Sequence, residues 1–116
     1  MDERIEKAFE VANYMATLSN QRRITLEEYN QKLVHYVNGA TFRVSPDLIS
    51  FTKTMLDAGH TNNIAFVDSN NFPVIVDNVQ SFFDSITSIY IEATNDYADK
   101  YAKIKGKRKI AEIIEL

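Results

Sequence analysis

The stretch Ser19-Asn20-Gln21-Arg22-Arg23, followed by Ile24-Thr25-Leu26-Glu27-Glu28, decides the architecture. Thr25 and Glu28 match the capping-box pattern, a hydroxyl followed three residues later by Glu, so a helix could break at the polar patch and restart here. Against a break, neither Gly nor Pro occurs between Met1 and Asn38, and apolar residues recur at helical spacing on both sides. We read one helix over residues 2 to 37, ended by Gly39. The alternative is a chain that folds back near Asn20. Ile5, Ala12, Leu26 and Leu33 fall seven apart if Ser19 is counted, and Ala8, Met15, Tyr29 and Tyr36 do so if Arg22 is counted. The seam therefore reads as two heptad blocks with a polar middle.

Outward from that segment, Ala40 to Val44 alternates as a short strand with Phe42 and Val44 on one face. Ser45-Pro46-Asp47 supplies a capping hydroxyl, a proline for the first helical position and an acid for the first turn. The helix that follows has Leu48, Phe51 and Met55 as its stripe, and Gly59 stops it. Ile64 to Val67 and Phe72 to Val76 read as a hairpin across Asp68-Ser69-Asn70-Asn71, with Pro73 at an outward-facing edge. With the strand near Phe42, these runs predict one small three-stranded sheet. From Asn78 to Lys105 the helical period returns, through Val79, Ile86 and Ala93 and through Phe83, Tyr90, Tyr97 and Ile104, until Gly106 interrupts it. Ile110, Ile113, Ile114 and Leu116 follow as an apolar coda. The expected fold is α+β, mainly α: two long antiparallel helices, 2–37 and 78–105, with a short helix and a small antiparallel hairpin or three-stranded sheet between them.

The 116 residues suit a single domain, 1–116, with a basic C-terminal segment over 100–116. Apolar residues make up 45% and charged residues 25%, a balance that permits a core and excludes a disordered chain. No apolar run approaches bilayer length, so no membrane is expected among the partners. Met1-Asp2-Glu3-Arg4 lacks the basic start and apolar stretch of a secretion signal, which predicts a protein that stays where it is made. The lack of cysteine removes disulfides, thiolate catalysis and cysteine-ligated zinc.

An enzyme needs convergent polar groups, and the sequence arranges few. His35 and His60 show no metal-ligand spacing to each other or to an acid, and both sit near helix ends, where His interacts with free carbonyls. Asp68-Ser69-Asn70 opens like a calcium loop, but Pro73 stands where Gly is required and Val79 where the bidentate Glu belongs. Gly39, Gly59 and Gly106 are isolated, so no phosphate loop forms. Glu27-Glu28 and Asp96-Asp99 read as solvated acids. We expect no catalytic residues, no metal and no cofactor.

Charge is unevenly placed. Residues 1 to 99 carry seven Lys and Arg against fourteen Asp and Glu, whereas residues 100 to 116 carry six against two. Lys100, Lys103, Lys105, Lys107, Arg108 and Lys109, interleaved with Tyr97, Tyr101 and Ile104, are candidate contacts for nucleic acid or an acidic partner. The competing account has the cations offsetting the helix dipole while the tyrosines pack inward. Met15, Leu26, Tyr29, Leu33, Tyr36, Phe83, Tyr90 and Tyr97 are the candidate self-association surface, because stripes on helices this long should overhang a small body and favour a dimer.

The strings Asn38-Gly39-Ala40-Thr41-Phe42, Ser45-Pro46-Asp47-Leu48-Ile49 and Asp68-Ser69-Asn70-Asn71-Phe72-Pro73-Val74, with the tail from Tyr97 to Lys109, resemble small uncharacterised proteins of tailed phages that infect marine cyanobacteria. That resemblance implies a phage gene product in a bacterial cytoplasm, with virion association as a further expectation, and carries over no catalytic residue. Two function classes lead: a non-enzymatic interaction or assembly protein, as structural component, chaperone or host-protein binder, and a nucleic-acid or transcription-associated accessory factor using residues 100 to 109.

Overall fold

The computed structural model describes residues 2–115, with side chains as far as Lys107. Its order is α1 (Glu3–Lys32), β1 (Val34–Val37), β2 (Ala40–Arg43), α2 (Pro46–Asp57), β3 (Asn62–Val67), β4 (Pro73–Asn78) and α3 (Val79–Glu115). The fold is α+β and mostly helical. No described helix is long and apolar enough to cross a membrane.

α1 runs unbroken through Ser19 to Arg23, so the Thr25–Glu28 pattern lies inside a helix and caps nothing. The expected helix over 2–37 is too long, however. It ends at Lys32, and Val34 to Val37 pair with Ala40 to Arg43 in a hairpin. Asn38 and Gly39 form its two-residue turn at φ 49° and 77°. Two successive positive φ angles define the turn whose twist matches paired strands, and Asn-Gly is the dipeptide that adopts it most readily. The second correction concerns the sheet: β1–β2 and β3–β4 are two separate antiparallel pairs, not three strands of one sheet. The third is Gly106, which α3 passes through. A glycine inside a helix costs only about 1 kcal/mol relative to Ala, too little by itself to end one.

Other local expectations hold. The Ser45 Oγ accepts from the Leu48 N–H at 3.1 Å, and Pro46 occupies the first turn of α2. At the far end His60 N–H donates to the Met55 carbonyl and Gly59 N–H to that of Leu56, both at 2.9 Å, with Gly59 at φ 90°. These paired bonds close the helix with a left-handed glycine. β3 and β4 pair around Ile64↔Val76 and Phe66↔Val74, and the turn between them is closed by Asp68 N–H to Phe72 O at 2.9 Å. In this register Val67↔Pro73 is a pair that exchanges no ladder bonds, so the missing N–H of Pro73 points to the outer edge.

The contacts divide the chain into two compact units. One comprises residues 1–29 and 95–116, the other residues 30–94. In the second unit Phe42, Phe66 and Phe82 meet edge to face, at 5.0 Å between Phe42 and Phe82 and 5.2 Å between Phe66 and Phe82. Leu33, Val44, Val76, Val79 and Ile86 are buried with them. The β3–β4 turn docks on the outer edge of β2. Arg43 N–H donates to Ser69 Oγ at 2.7 Å, Ser69 N–H donates to Thr41 O at 2.9 Å, and Thr41 N–H donates to the Asp68 carboxylate at 3.3 Å.

Candidate functional site

In the unit formed by residues 1–29 and 95–116, α1 carries a seam of 4-3 spacing: Val11, Met15, Leu18, Arg22, Thr25 and Tyr29. Leu18 is its one buried residue, and Arg22 interrupts the apolar run. Across from it the Tyr29 and Tyr97 rings lie 4.6 Å apart, Tyr97 stacks on Tyr101 at 6.2 Å, and the Arg22 guanidinium lies 5.5 Å from the centre of the Tyr101 ring. Lys100 Nζ reaches Asp96 at 3.0 Å and Glu28 at 3.2 Å. Residue numbers fall along α1 as they rise along α3, so the two segments pair antiparallel within this unit. The Arg22–Tyr101 contact keeps a long cation at a seam position without burying its charge, through the attraction of the ring face.

These contacts reassign some candidates. Hydrogen bonds to Asp96 and then Glu28 hold Lys100 protonated above the usual lysine range, so its ammonium is engaged within its own unit. Lys103, Lys105 and Lys107 are exposed. Arg108 and Lys109 lie outside the described side chains. Of the self-association candidates, Met15, Tyr29 and Tyr97 are half-buried in the seam just described. Leu33 is 5% exposed, in the core of the other unit, and Tyr36 is 74% exposed on β1. Phe83 and Tyr90 are half-buried on α3, and Leu26 stands in solvent.

Leu26 belongs to a second stripe beside the first, with the same 4-3 spacing: Ile5, Phe9, Ala12, Ala16, Ser19, Arg23 and Leu26. All seven are exposed, Ile5 by 47%, Phe9 by 58% and Leu26 by 45%. The heptad series through Ile5, Ala12 and Leu26 was legible in the sequence, but Phe9, its most exposed large residue, was missed. The signal that finds Phe9 is its place four residues after Ile5 and three before Ala12. A helix with two adjacent apolar stripes suits a bundle of more than two helices, because a two-helix pair covers only one of them.

The unit of residues 30–94 has an open groove of about 330 Å³ at β1, β4 and the start of α3. Val37, Val76 and Phe82 line it together with His35, Asn38, Asp77, Asn78, Ser81 and Ser85. Partial burial holds His35 below the usual histidine range, which favours its neutral form. Asn78 caps α3 by accepting from the Ser81 N–H at 3.0 Å, and Asn38 donates to the Ile75 carbonyl at 3.0 Å. Among the described residues no hydrogen bond joins His35 to Ser81, Ser85 or Asp77, and no group of three or more acids and histidines is placed to hold a metal ion. The groove offers an imidazole, two amides, two hydroxyls and the Asp77 carboxylate over an apolar floor, a chemistry suited to hydrogen-bonded recognition.

No family model, curated protein or solved structure matches the chain.

Proposed function

We propose that this is a non-enzymatic assembly protein whose paired α1 and α3 segments form a docking arm for protein. The observation that carries this reading is the exposed second stripe of α1, where Ile5, Phe9 and Leu26 stand in water at the margins of a run of small residues. Exposed apolar area is unfavourable by about 25 cal/mol per Å², and contiguous patches of it mark protein interaction sites. In the phage setting that the sequence resemblance implies, such an arm belongs to a structural component, a chaperone or a binder of host protein.

The test is affinity purification of the full chain from expressing cells, with and without nuclease, beside a Phe9→Glu variant. Protein partners, further copies of the chain included, are expected to survive nuclease and to be lost from the variant. Partners that all vanish with nuclease, or that ignore Phe9→Glu, remove this reading.

The exposure of Lys103, Lys105 and Lys107 supports a second reading, a nucleic-acid accessory factor. On that reading, affinity for DNA or RNA falls steeply with salt, with a log–log slope of up to about −4.5 for five cations contacting phosphates. Changing Lys103, Lys105, Lys107, Arg108 and Lys109 together to Gln abolishes binding while far-UV circular dichroism stays unchanged. Absence of binding at low salt eliminates it.

A further inference from the structure

We infer that the second stripe of α1 takes a second copy of this chain, laid antiparallel across a two-fold axis near residues 16 to 18. The inference rests on the proposed docking role of the stripe and names its occupant. Side-chain size is the first ground. The stripe has its large residues, Ile5, Phe9 and Leu26, toward its ends and Ala12, Ala16 and Ser19 in its middle. Turned end for end on itself, it sets Phe9 of one copy against Leu26 of the other, the small Ala12 against the long Arg23, and Ala16 against Ser19 at the centre, where the backbones can approach.

Charge is the second ground, and it selects the direction. Residues 2 to 16 carry Asp2, Glu3, Glu6 and Glu10 against Arg4 and Lys7, whereas residues 17 to 32 carry Arg22, Arg23 and Lys32 against Glu27 and Glu28. An antiparallel pair sets the acidic half of each helix beside the basic half of the other, and it opposes the helix dipoles favourably. A parallel pair would stack Arg23 on Arg23 at a seam position, because Arg23 lies in the stripe between Ser19 and Leu26. Arg23 is bonded to Glu27 at 2.8 Å, but both side chains are more than half exposed, so that bond is weak and does not neutralise the layer. From Ile5 to Leu26 the stripe is about 32 Å long and one helix wide, which is at the small end for a specific interface. The dimer therefore dissociates on dilution.

The chain has no cysteine, so single cysteines report the geometry without background. In the antiparallel pair, with Phe9 opposite Leu26, the two copies of residue 12 lie about 16 Å apart along the axis, beyond the reach of a disulfide, whereas residues 12 and 23 of different copies face each other. Under mild oxidation Ala12→Cys is expected to stay uncrosslinked alone and to crosslink when mixed with Arg23→Cys. Light scattering of the unmodified chain is expected to show a dimer at tens of micromolar that Phe9→Glu converts to monomer, with its circular dichroism unchanged because Phe9 is exposed. If Phe9→Glu perturbs the helix, Phe9→Ser supplies the same reading. Crosslinking of Ala12→Cys with itself overturns the orientation. A strictly monomeric mass across the concentration range overturns the second copy as occupant. Nuclease-resistant partners lost from Phe9→Glu would still uphold the docking arm in that case, so the two failures are distinguishable.

Discussion

Replacing Phe82 with Ala is expected to destabilise the unit of residues 30–94 by about 3–5 kcal/mol, the usual range for removing a buried phenylalanine. Phe82 is 3% exposed and is the ring that Phe42, Phe66 and His35 all contact, at 5.0, 5.2 and 5.7 Å. Those neighbours come from β1, β2 and β3, so the cavity left behind has no single side chain that can collapse into it. A domain of this size has roughly 5–10 kcal/mol in total, so most of the unit's stability is lost. The control is Phe51→Ala. Phe51 also touches Phe66, at 5.7 Å, but is 52% exposed, and its loss should cost far less. Urea unfolding followed by circular dichroism, with amide exchange to locate the change, measures both. Equal costs for the two variants would mean that the three-ring cluster is not the core.

Asp68→Ala is expected to detach the β3–β4 turn from β2 and to flatten the acid side of the stability curve. One carboxylate accepts from the backbone N–H groups of Phe72 at 2.8 Å, Asn70 at 2.9 Å and Thr41 at 3.3 Å. The bond from Phe72, with those from Thr41 and Asn70, outweighs the opposing effect of desolvation and holds its pKa below the usual aspartate value. A carboxyl group depressed in the fold binds fewer protons there than in the unfolded chain. Its contribution is therefore complete above about pH 4, the unfolded value, and is lost as pH falls through the lower folded value. His35 acts earlier on the same side. Burial lowers its pKa, so stability starts to fall as pH drops below about 6.5, when the unfolded chain takes up the proton first. The stability difference between the original chain and Asp68→Ala should be constant from pH 5 to 8 and shrink below pH 4. A difference that stays constant down to pH 2 would contradict the assigned role of the carboxylate.

What the sequence made legible follows the range of each interaction. The cap of α2 at Ser45-Pro46, its stop at Gly59 and the turn at Asp68 to Asn71 are set by neighbours within five residues, and each can be read off the chain. The hairpin at Asn38-Gly39 is equally local, but it was misread because Leu33 and Tyr36 continue the heptads of α1, and the helical period outweighed the turn dipeptide. The first strand, Val34–Val37, is only about one helical turn long, so it is easily absorbed into the helix before it. The candidate site failed for a different reason. α1 carries two apolar stripes one position apart, through Leu18 and through Ser19, and nothing within α1 decides which one packs inward. α3 decides, through Tyr97, Lys100 and Tyr101, about 70 residues away in sequence. For the same reason Lys100 looked like one cation in a basic run, although Glu28 had already claimed it.

The clasp between the Asp68 turn and β2 also sets an order of events during folding. Each hairpin closes on its own residues, a process of about 1–10 μs. The bonds that join them span 26 residues from Arg43 to Ser69, 27 from Thr41 to Asp68 and 37 from Asn38 to Ile75. Closing those spans costs chain entropy before any long-range contact offsets it. The barrier should therefore lie at the meeting of two preformed hairpins, with substitutions at Asp68 slowing refolding and substitutions in either turn changing the population of the pieces that meet.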